Sequence, residues 1–206
     1  MTGQSSGWPD EIPLQGVTES VVTTLGPNNL WNLAALGLRA PELDSHSQTP
    51  HSGAVTARTW GRTRTWRNFT ERGRGVIQFV TCPQQFVDAA LSIREFSDPV
   101  LQNASAWVRV DVTELADGAE GDTQWVDWAL HPTEFEISER TVPTFNRGYG
   151  AVVEATIAVS RLDVPNYDRE RLLDRLRWLE TVVDRAGGPA EREAFAKIRE
   201  YADAAW

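Results

Sequence analysis

The segment "GVTESVVTTLGPNNLWNLAALGLRA", residues 16–40, contains the first clear secondary-structure pattern of the chain. Residues 17–25 are rich in β-branched side chains, residues 30–38 form a second apolar run, and "GPNN" separates them. Pro27 suits the corner of a turn, and the two asparagines that follow it tolerate positive φ angles. The segment therefore predicts a β-hairpin. Its second strand contains small residues and a glycine, where a backbone can approach a flat ligand closely.

Further strands and short helices follow this hairpin. We expect strands in "VTARTW" (55–60), "GVIQFV" (75–80), "ASAWVRVDVTEL" (104–115) and "TQWVDWALHPTEFEISER" (123–140), with "ADGAEGD" as the turn between the last two. Helices are expected in "TRTWRNFTERGRG" (63–75), capped by Thr63 or Thr65 and by Gly73, and in "CPQQFVDAALSI" (82–93), which Pro83 begins. Short strands with brief helices between them predict a small, mostly antiparallel barrel rather than a Rossmann sheet.

From Asn146 onward the pattern becomes helical. "NRGYGAVVEATIAVSRL" (146–162) fits a helix, although its β-branched residues leave a strand open. "YDRERLLDRLRWLETVVDRAGG" (167–188) predicts a helix that Asp168 caps, and Pro189 begins a last helix. The expected organisation is a flexible tail over 1–16, a barrel domain over 17–145 and a C-terminal helical segment over 146–206. The expected fold class is α+β, mainly β.

The charge balance limits the partners of the chain. Its net charge is -9 over 206 residues, and Lys197 is the single lysine among 20 basic residues. An acidic surplus with almost no lysine resembles proteins of halophilic archaea, although a GC-rich genome could bias the codons in the same way. Net acidity argues against nucleic acid as the main partner. No window is apolar enough for a membrane span and no signal peptide is recognisable, so we expect a cytoplasmic protein.

The residues that most often form metal or nucleophilic sites show no recognisable pattern. Cys82 is the only cysteine, and the three histidines (His46, His51 and His131) offer it no matched partner. We therefore expect no metal site. Glu154 is the one carboxylate within an apolar stretch, where it could have a raised pKa or form a salt bridge. We name no catalytic residue.

Arginine is concentrated in one segment of this acidic chain. "ARTWGRTRTWRNFTERGRGVIQF", residues 57–79, contains six arginines together with Thr59, Thr63 and Thr65. The start of a helix offers free backbone N–H groups and a partial positive charge, which together with threonine hydroxyls and arginines suit a phosphate. Two other interpretations stay open: a solvated charged face, and a track on which Trp60 and Trp66 stack single-stranded nucleic acid.

Three stretches carry a resemblance to a known family. "ESVVTTLGPNNLWNLAALGLRA", "GRTRTWRNFTERGRGVIQFVTCPQQFVDAALS" and "NRGYGAVVEATIAVSRL" resemble the archaeal family known as domain of unknown function 447, from about residue 17 to the end of the chain. The resemblance implies an FMN-binding split β-barrel with a C-terminal helical segment, and a homodimer with the flavin near its interface. The wider split-barrel class includes flavin reductases and pyridoxamine-phosphate oxidase-like proteins.

The same resemblance implies a set of cofactor-binding residues. Thr65 and Asn68 match the "Thr-x-x-Asn" that commonly meets the flavin phosphate, and "AALG" matches the strand that lies against the flavin ring. Many relatives have asparagine in the strand after the helix, where this chain has Gln78, and residues 146 and 147 match an "NR" pair, for which helix capping and a salt bridge are equally open. The implied set is Ala34, Ala35, Leu36, Gly37, Arg62, Thr63, Arg64, Thr65, Asn68, Gln78, Asn146 and Arg147.

The resemblance implies an FMN-binding protein, with a flavin-dependent oxidoreductase of the flavin-reductase type as the first hypothesis. The flavin would perform the redox chemistry, and the protein would bind and orient it. The alternative is a protein that binds FMN or another phospho-ligand without catalysis. The sequence does not separate the two.

Overall fold

The computed structural model of the chain describes residues 2–3, 7–41, 54–138 and 146–202. The strands are β1 (Thr2–Gly3), β2 (Val17–Leu25), β3 (Trp31–Arg39), β4 (Val55–Trp60), β5 (Arg74–Val80), β6 (Arg94–Phe96), β7 (Ala104–Glu120) and β8 (Thr123–Ile137). The helices are α1 (Arg64–Arg72), α2 (Pro83–Leu91), α3 (Arg147–Val159), α4 (Arg169–Ala186) and α5 (Pro189–Tyr201).

These elements divide into two compact units, one of residues 1–79 with 95–140 and one of residues 80–94 with 141–206. Helix α2 therefore packs with the C-terminal helices, whereas the sequence placed it within a barrel domain over 17–145. The boundaries drawn from the sequence stay a prediction for the rest of the chain.

The first unit is a closed, six-stranded antiparallel barrel. Its strands follow the order β8-β4-β3-β2-β5-β7, and β7 pairs with β8 to close it. Strand β1 adds to β8 outside this ring, and β6 adds to β3. The predicted hairpin is confirmed, since β2 and β3 pair from Val17 with Arg39 to Leu25 with Trp31. Asn29, in the turn, has a φ of 60°.

Alternating apolar side chains fill the inside of this barrel. Val22, Leu36 and Leu38 point into it from the first hairpin, and Phe69 of α1 closes it with its ring edge-on to Trp128, at 5.4 Å between centroids. Ile12 also belongs to this core. Part of the segment that the sequence describes as a flexible tail is therefore packed, while residues 1 and 4–6 lie outside the described part.

Strand β7 is longer than the sequence predicts, since it runs to Glu120 rather than ending at residue 115. The expected turn over 116–122 is mostly strand, and only Gly121 and Asp122 lie between the two elements. The glycine and aspartate residues of this stretch are typical of a loop, which is why the sequence predicts a turn there. Gly118 is there for another reason: a Cβ atom at this position would lie 2.5 Å from the indole of Trp125, its partner across the ladder.

The second unit is helical, with α3 helical as expected. Its apolar core includes Val87 of α2, Leu176 of α4 and Ile198 of α5. Asp88 joins α2 to α5, because its carboxylate accepts hydrogen bonds from Lys197 Nζ at 3.1 Å and from Tyr201 Oη at 2.8 Å. Burial alone would raise the pKa of Asp88, but these partners and the nearby Arg94 hold the pKa below its ordinary value.

Glu154 forms an ion pair with Arg175, and both side chains are about half exposed. The salt-bridge interpretation of this residue is confirmed. None of the helices in the described ranges is both long enough and apolar enough to cross a membrane.

Candidate anion-binding site

Helix α1 begins as the sequence predicts, with Thr63 rather than Thr65 as its N-cap. The Thr63 hydroxyl oxygen accepts a hydrogen bond from the backbone N–H of Trp66 at 3.2 Å. Gly73 ends the helix in the left-handed conformation, with φ at 64°. The backbone N–H groups of the first helical turn have no carbonyl acceptor within the helix. Those of Arg64 and Thr65 are therefore available to an external acceptor.

Two hydroxyls lie in this first turn. Thr65 is buried, with 4% of the residue exposed, and its hydroxyl has no hydrogen-bond partner in the part of the chain that the structure describes. Thr63 is exposed, and because its oxygen accepts from Trp66, its hydroxyl hydrogen is still free to donate. Although Thr65 is mostly covered, its hydroxyl oxygen is not among the fully buried side-chain atoms that lack a partner, so a ligand or water can still reach it.

Two arginines flank these hydroxyls and differ in their contacts. Arg64 donates from Nη1 to Glu95 Oε1 at 2.7 Å. The guanidinium of Arg62 lies over the ring of Trp66, 5.8 Å from its centroid, and forms no ion pair with a described carboxylate. Trp66 itself packs partly against the barrel core, so it is not a free stacking platform.

A shallow cavity of about 190 Å³ lies on the Arg62 side of the helix start. Besides Arg62, its lining includes Trp66, Trp125 and two carboxylates, those of Glu114 and Asp117. The indole of Trp125 also lies against the guanidinium of Arg58, at 3.9 Å from its centroid. The electrostatic surroundings of the helix start are therefore mixed rather than uniformly positive.

Asn68, the second residue of the predicted "Thr-x-x-Asn", braces the helix against the barrel. It is 2% exposed, and its amide donates to the hydroxyl of Thr24 at 2.9 Å and to the carbonyl of Thr24 at 3.3 Å. Both amide hydrogens are thereby used within the protein. Asn68 fixes where the start of α1 lies relative to β2.

Gln78 is fully buried and its amide is likewise committed. Its nitrogen donates to the Thr23 hydroxyl and to the Pro99 carbonyl, both at 3.0 Å. Its oxygen accepts from the backbone N–H of Leu101 at 2.7 Å. Gln78 thus holds the segment that leads from β6 to β7 against the barrel.

The remaining predicted residues lie on two other elements. In β3, Leu36 is buried in the barrel, while Ala34, Ala35 and Gly37 are half-buried. A Cβ atom at Gly37 would lie 3.2 Å from the side chain of Val17, so a larger residue at position 37 would crowd its neighbour on β2.

Asn146 and Arg147 belong to the second unit. Asn146 caps α3 by accepting from the N–H of Gly148 at 2.8 Å, and Arg147 is exposed. The capping interpretation of Asn146 is confirmed.

Glu95 is the functional candidate that sequence reasoning missed. It lies on β6, a strand of three residues with no periodicity to reveal it, and is 31 residues from its partner Arg64.

Among the described residues, no three His, Cys, Asp or Glu side chains are grouped so that they could hold a metal ion.

The chain is similar to several proteins whose structures have been solved. The chain is 24% identical to an FMN-bound protein from Methanosarcina mazei, with a TM-score of 0.76, over 91% of this chain and 96% of that one. The flavin reductase of styrene monooxygenase from Pseudomonas putida S12 gives 15% identity, 62% and 83% coverage and a TM-score of 0.38. Nitrilotriacetate monooxygenase component B from Mycobacterium thermoresistibile is 16% identical over 61% of this chain and 72% of that one, with a TM-score of 0.36.

The likeness to the Methanosarcina mazei protein confirms the predicted fold, an α+β, mainly β split barrel with a C-terminal helical segment. No curated protein matches the sequence significantly. Residues 18–139 match the family model described as "Protein of unknown function (DUF447) N-terminal domain", and residues 146–200 match "Protein of unknown function (DUF447)". The chain therefore belongs to the DUF447 family and carries both of its domains.

Proposed function

We propose that the protein binds FMN, with the flavin phosphate at the start of helix α1. The observation that carries this proposal is the buried Thr65, whose hydroxyl lacks a partner among the described residues and lies beside free backbone N–H groups. Phosphate oxygens accept hydrogen bonds from such groups, and the helix dipole favours the negative charge. The FMN bound by the Methanosarcina mazei protein, which shares the fold, supports the choice of ligand.

The donor set fits a phosphate dianion. It comprises two hydroxyl hydrogens, two backbone N–H groups and the guanidinium groups of Arg62 and Arg64. Arginine can add charge-assisted, bidentate hydrogen bonds. Asn68 and Gln78 would act indirectly in this arrangement, because their amides hold α1 and the segment after β6 in place.

The ring of the flavin would lie along residues 34–37, where small side chains leave room for a flat ligand. When bound, FMN supplies hydride or electron transfer, so we propose a flavin-dependent oxidoreductase of the flavin-reductase type. This chain would anchor the phosphate and would restrict the flavin ring to one side of β3. A turnover assay with NADH or NADPH tests the step beyond binding: a protein saturated with FMN that oxidises neither would be a flavin binder without catalysis.

We also propose that the protein is a cytoplasmic homodimer from a halophilic archaeon, with the flavin near the interface. The acidic composition with a single lysine supports the halophilic setting. Sedimentation velocity in molar KCl tests the assembly, since a mass of one chain with FMN bound would contradict the dimer.

The direct test of the proposed function is an absorbance spectrum of the purified protein. Bound flavin is expected to give bands near ~370 and ~450 nm, the signature of the cofactor itself. A colourless protein that takes up no added FMN would contradict the proposal, and the arginines would then be a solvated face.

Replacing the Thr65 hydroxyl tests the location of the phosphate. Thr65→Ala should weaken FMN binding by about 1–2 kcal/mol, or roughly fivefold to thirtyfold in Kd, because it removes a hydrogen bond to a charged group. Riboflavin, which lacks the phosphate, should bind both proteins equally. Quenching of flavin fluorescence measures both affinities.

Thr70→Ala is the matched control for this substitution. It removes a threonine hydroxyl from the same helix, where Thr70 donates to the carbonyl of Trp66 at 2.9 Å on an exposed side. FMN affinity should change less than twofold, the ordinary scatter of surface substitutions. If Thr65→Ala behaves like this control, the phosphate lies elsewhere.

A further inference from the structure

A carboxylate pairs with one of the two arginines of the proposed site. Glu95 of β6 accepts from Arg64 at 2.7 Å through Oε1, and from the side-chain amide of Asn28 at 3.3 Å through Oε2. One residue thereby joins the start of α1, the turn of the first hairpin and strand β6. The side chain of Glu95 is 25% exposed and that of Arg64 is 44% exposed, so both groups stay accessible.

This contact opposes the binding of an anion in two ways. It occupies one edge of the Arg64 guanidinium, which a phosphate would otherwise share or take over. It also places a negative charge 2.7 Å from the guanidinium of Arg64, where it repels an anion that approaches the same group. Arg62 is different, since its guanidinium lies over Trp66 with no described carboxylate as ion-pair partner.

We propose that Glu95 is a competing counter-ion that weakens the binding of phosphate-bearing ligands, and that Arg64 exchanges Glu95 for the ligand phosphate when such a ligand binds. This inference rests on the proposed function. Because an exposed ion pair is weak, the exchange costs little and the phosphate can displace the carboxylate. The pair therefore sets the affinity of the site: FMN is held more loosely than the remaining donors alone would hold it.

The test is Glu95→Gln in the full chain, freed of flavin and titrated with FMN and with riboflavin. Glutamine removes the charge but keeps an oxygen that can accept from Asn28. FMN should bind about threefold to tenfold more tightly, from the release of Arg64 and the loss of repulsion. Riboflavin, with no phosphate, should change less than twofold.

Glu71→Gln is the matched control. It makes the same charge change near the other end of α1, where Glu71 is exposed and six residues beyond Thr65. The helix rise places it about 9 Å further along the axis. FMN affinity should change less than twofold, since screened surface charges at this separation interact weakly.

A double-mutant cycle with Arg64→Ala isolates the exchange itself. In the Arg64→Ala background, the gain from Glu95→Gln should fall to about half or less of its wild-type value on a logarithmic scale, because no guanidinium remains to be released. An equal gain in both backgrounds would contradict the exchange.

The outcomes separate this inference from the proposed function. If the wild-type chain binds FMN and Glu95→Gln binds it equally or more weakly, the inference is overturned and the proposed function stands. Weakened binding would make Glu95 a residue that positions Arg64 rather than one that competes for it. Failure of the wild-type chain to bind FMN at all would remove the proposed function and this inference with it.

Discussion

Gln78→Leu should lower the free energy of unfolding by about 2–3 kcal/mol, because it removes a buried amide that satisfies three other groups. The Leu101 N–H would lose its acceptor, and the Pro99 carbonyl would keep only the hydroxyl of Thr23 as a donor. Leucine is close in size to glutamine, so the loss comes from unpaired polar groups rather than from a cavity. Urea unfolding followed by tryptophan fluorescence measures the change.

Gln102→Leu is the matched control, because Gln102 lies in the same segment but is exposed. Its effect should stay within about 0.5 kcal/mol. Affinity for FMN adds a second measurement. With its amide committed to the protein, Gln78 should influence the flavin only through the segment it holds, and Gln78→Leu should change the Kd for FMN less than twofold in the folded protein. A large loss of affinity with unchanged stability would instead indicate direct contact with the flavin.

Most of what the sequence predicts correctly depends on local geometry. Thr63, Gly73 and Asp168 cap helices because of interactions within three or four residues of each position. Asn29 has its positive φ for the same reason, since the turn between β2 and β3 requires it. Short-range requirements of this kind are visible in a single sequence.

The errors arise where distant residues decide the structure. Gly118 looks like a turn residue until Trp125 is placed across from it. Ile12 looks like part of a polar tail until the barrel core covers it. Helix α2 lies inside the expected barrel domain over 17–145, whereas Val87 packs into the core of the helical unit.

The site divides in the same way. Thr65 could be identified from its place in the first turn of a predicted helix, and its burial agrees with a binding role. Glu95 could not be identified, because a three-residue strand gives no periodic signal and only the pairing of β6 with β3 adds it to the barrel near Arg64. The chemistry of Gln78 was equally hidden, since its partners are at positions 23, 99 and 101.

Gly148→Ala is expected to destabilise the helical unit by about 2–3 kcal/mol, the cost of forcing a methyl group into a packed contact. Gly148 is buried in the first turn of α3, where it approaches the end of α4. A Cβ atom there would lie 2.5 Å from Gly187 Cα and 2.8 Å from Gly187 N. Both neighbours are backbone atoms, so no side-chain rotation relieves the overlap. Far-UV circular dichroism during urea unfolding measures the loss of helix.

The same helix provides the control for this prediction. Gly150 is exposed, and a Cβ atom there would meet nothing within 4 Å. Gly150→Ala should leave stability unchanged or raise it by up to about 1 kcal/mol, because alanine favours the helix and restricts the unfolded chain. The two substitutions add the same methyl group two residues apart, so the difference between them measures the contact with Gly187. Equal effects would mean that α3 and α4 do not approach each other as closely as the structure shows.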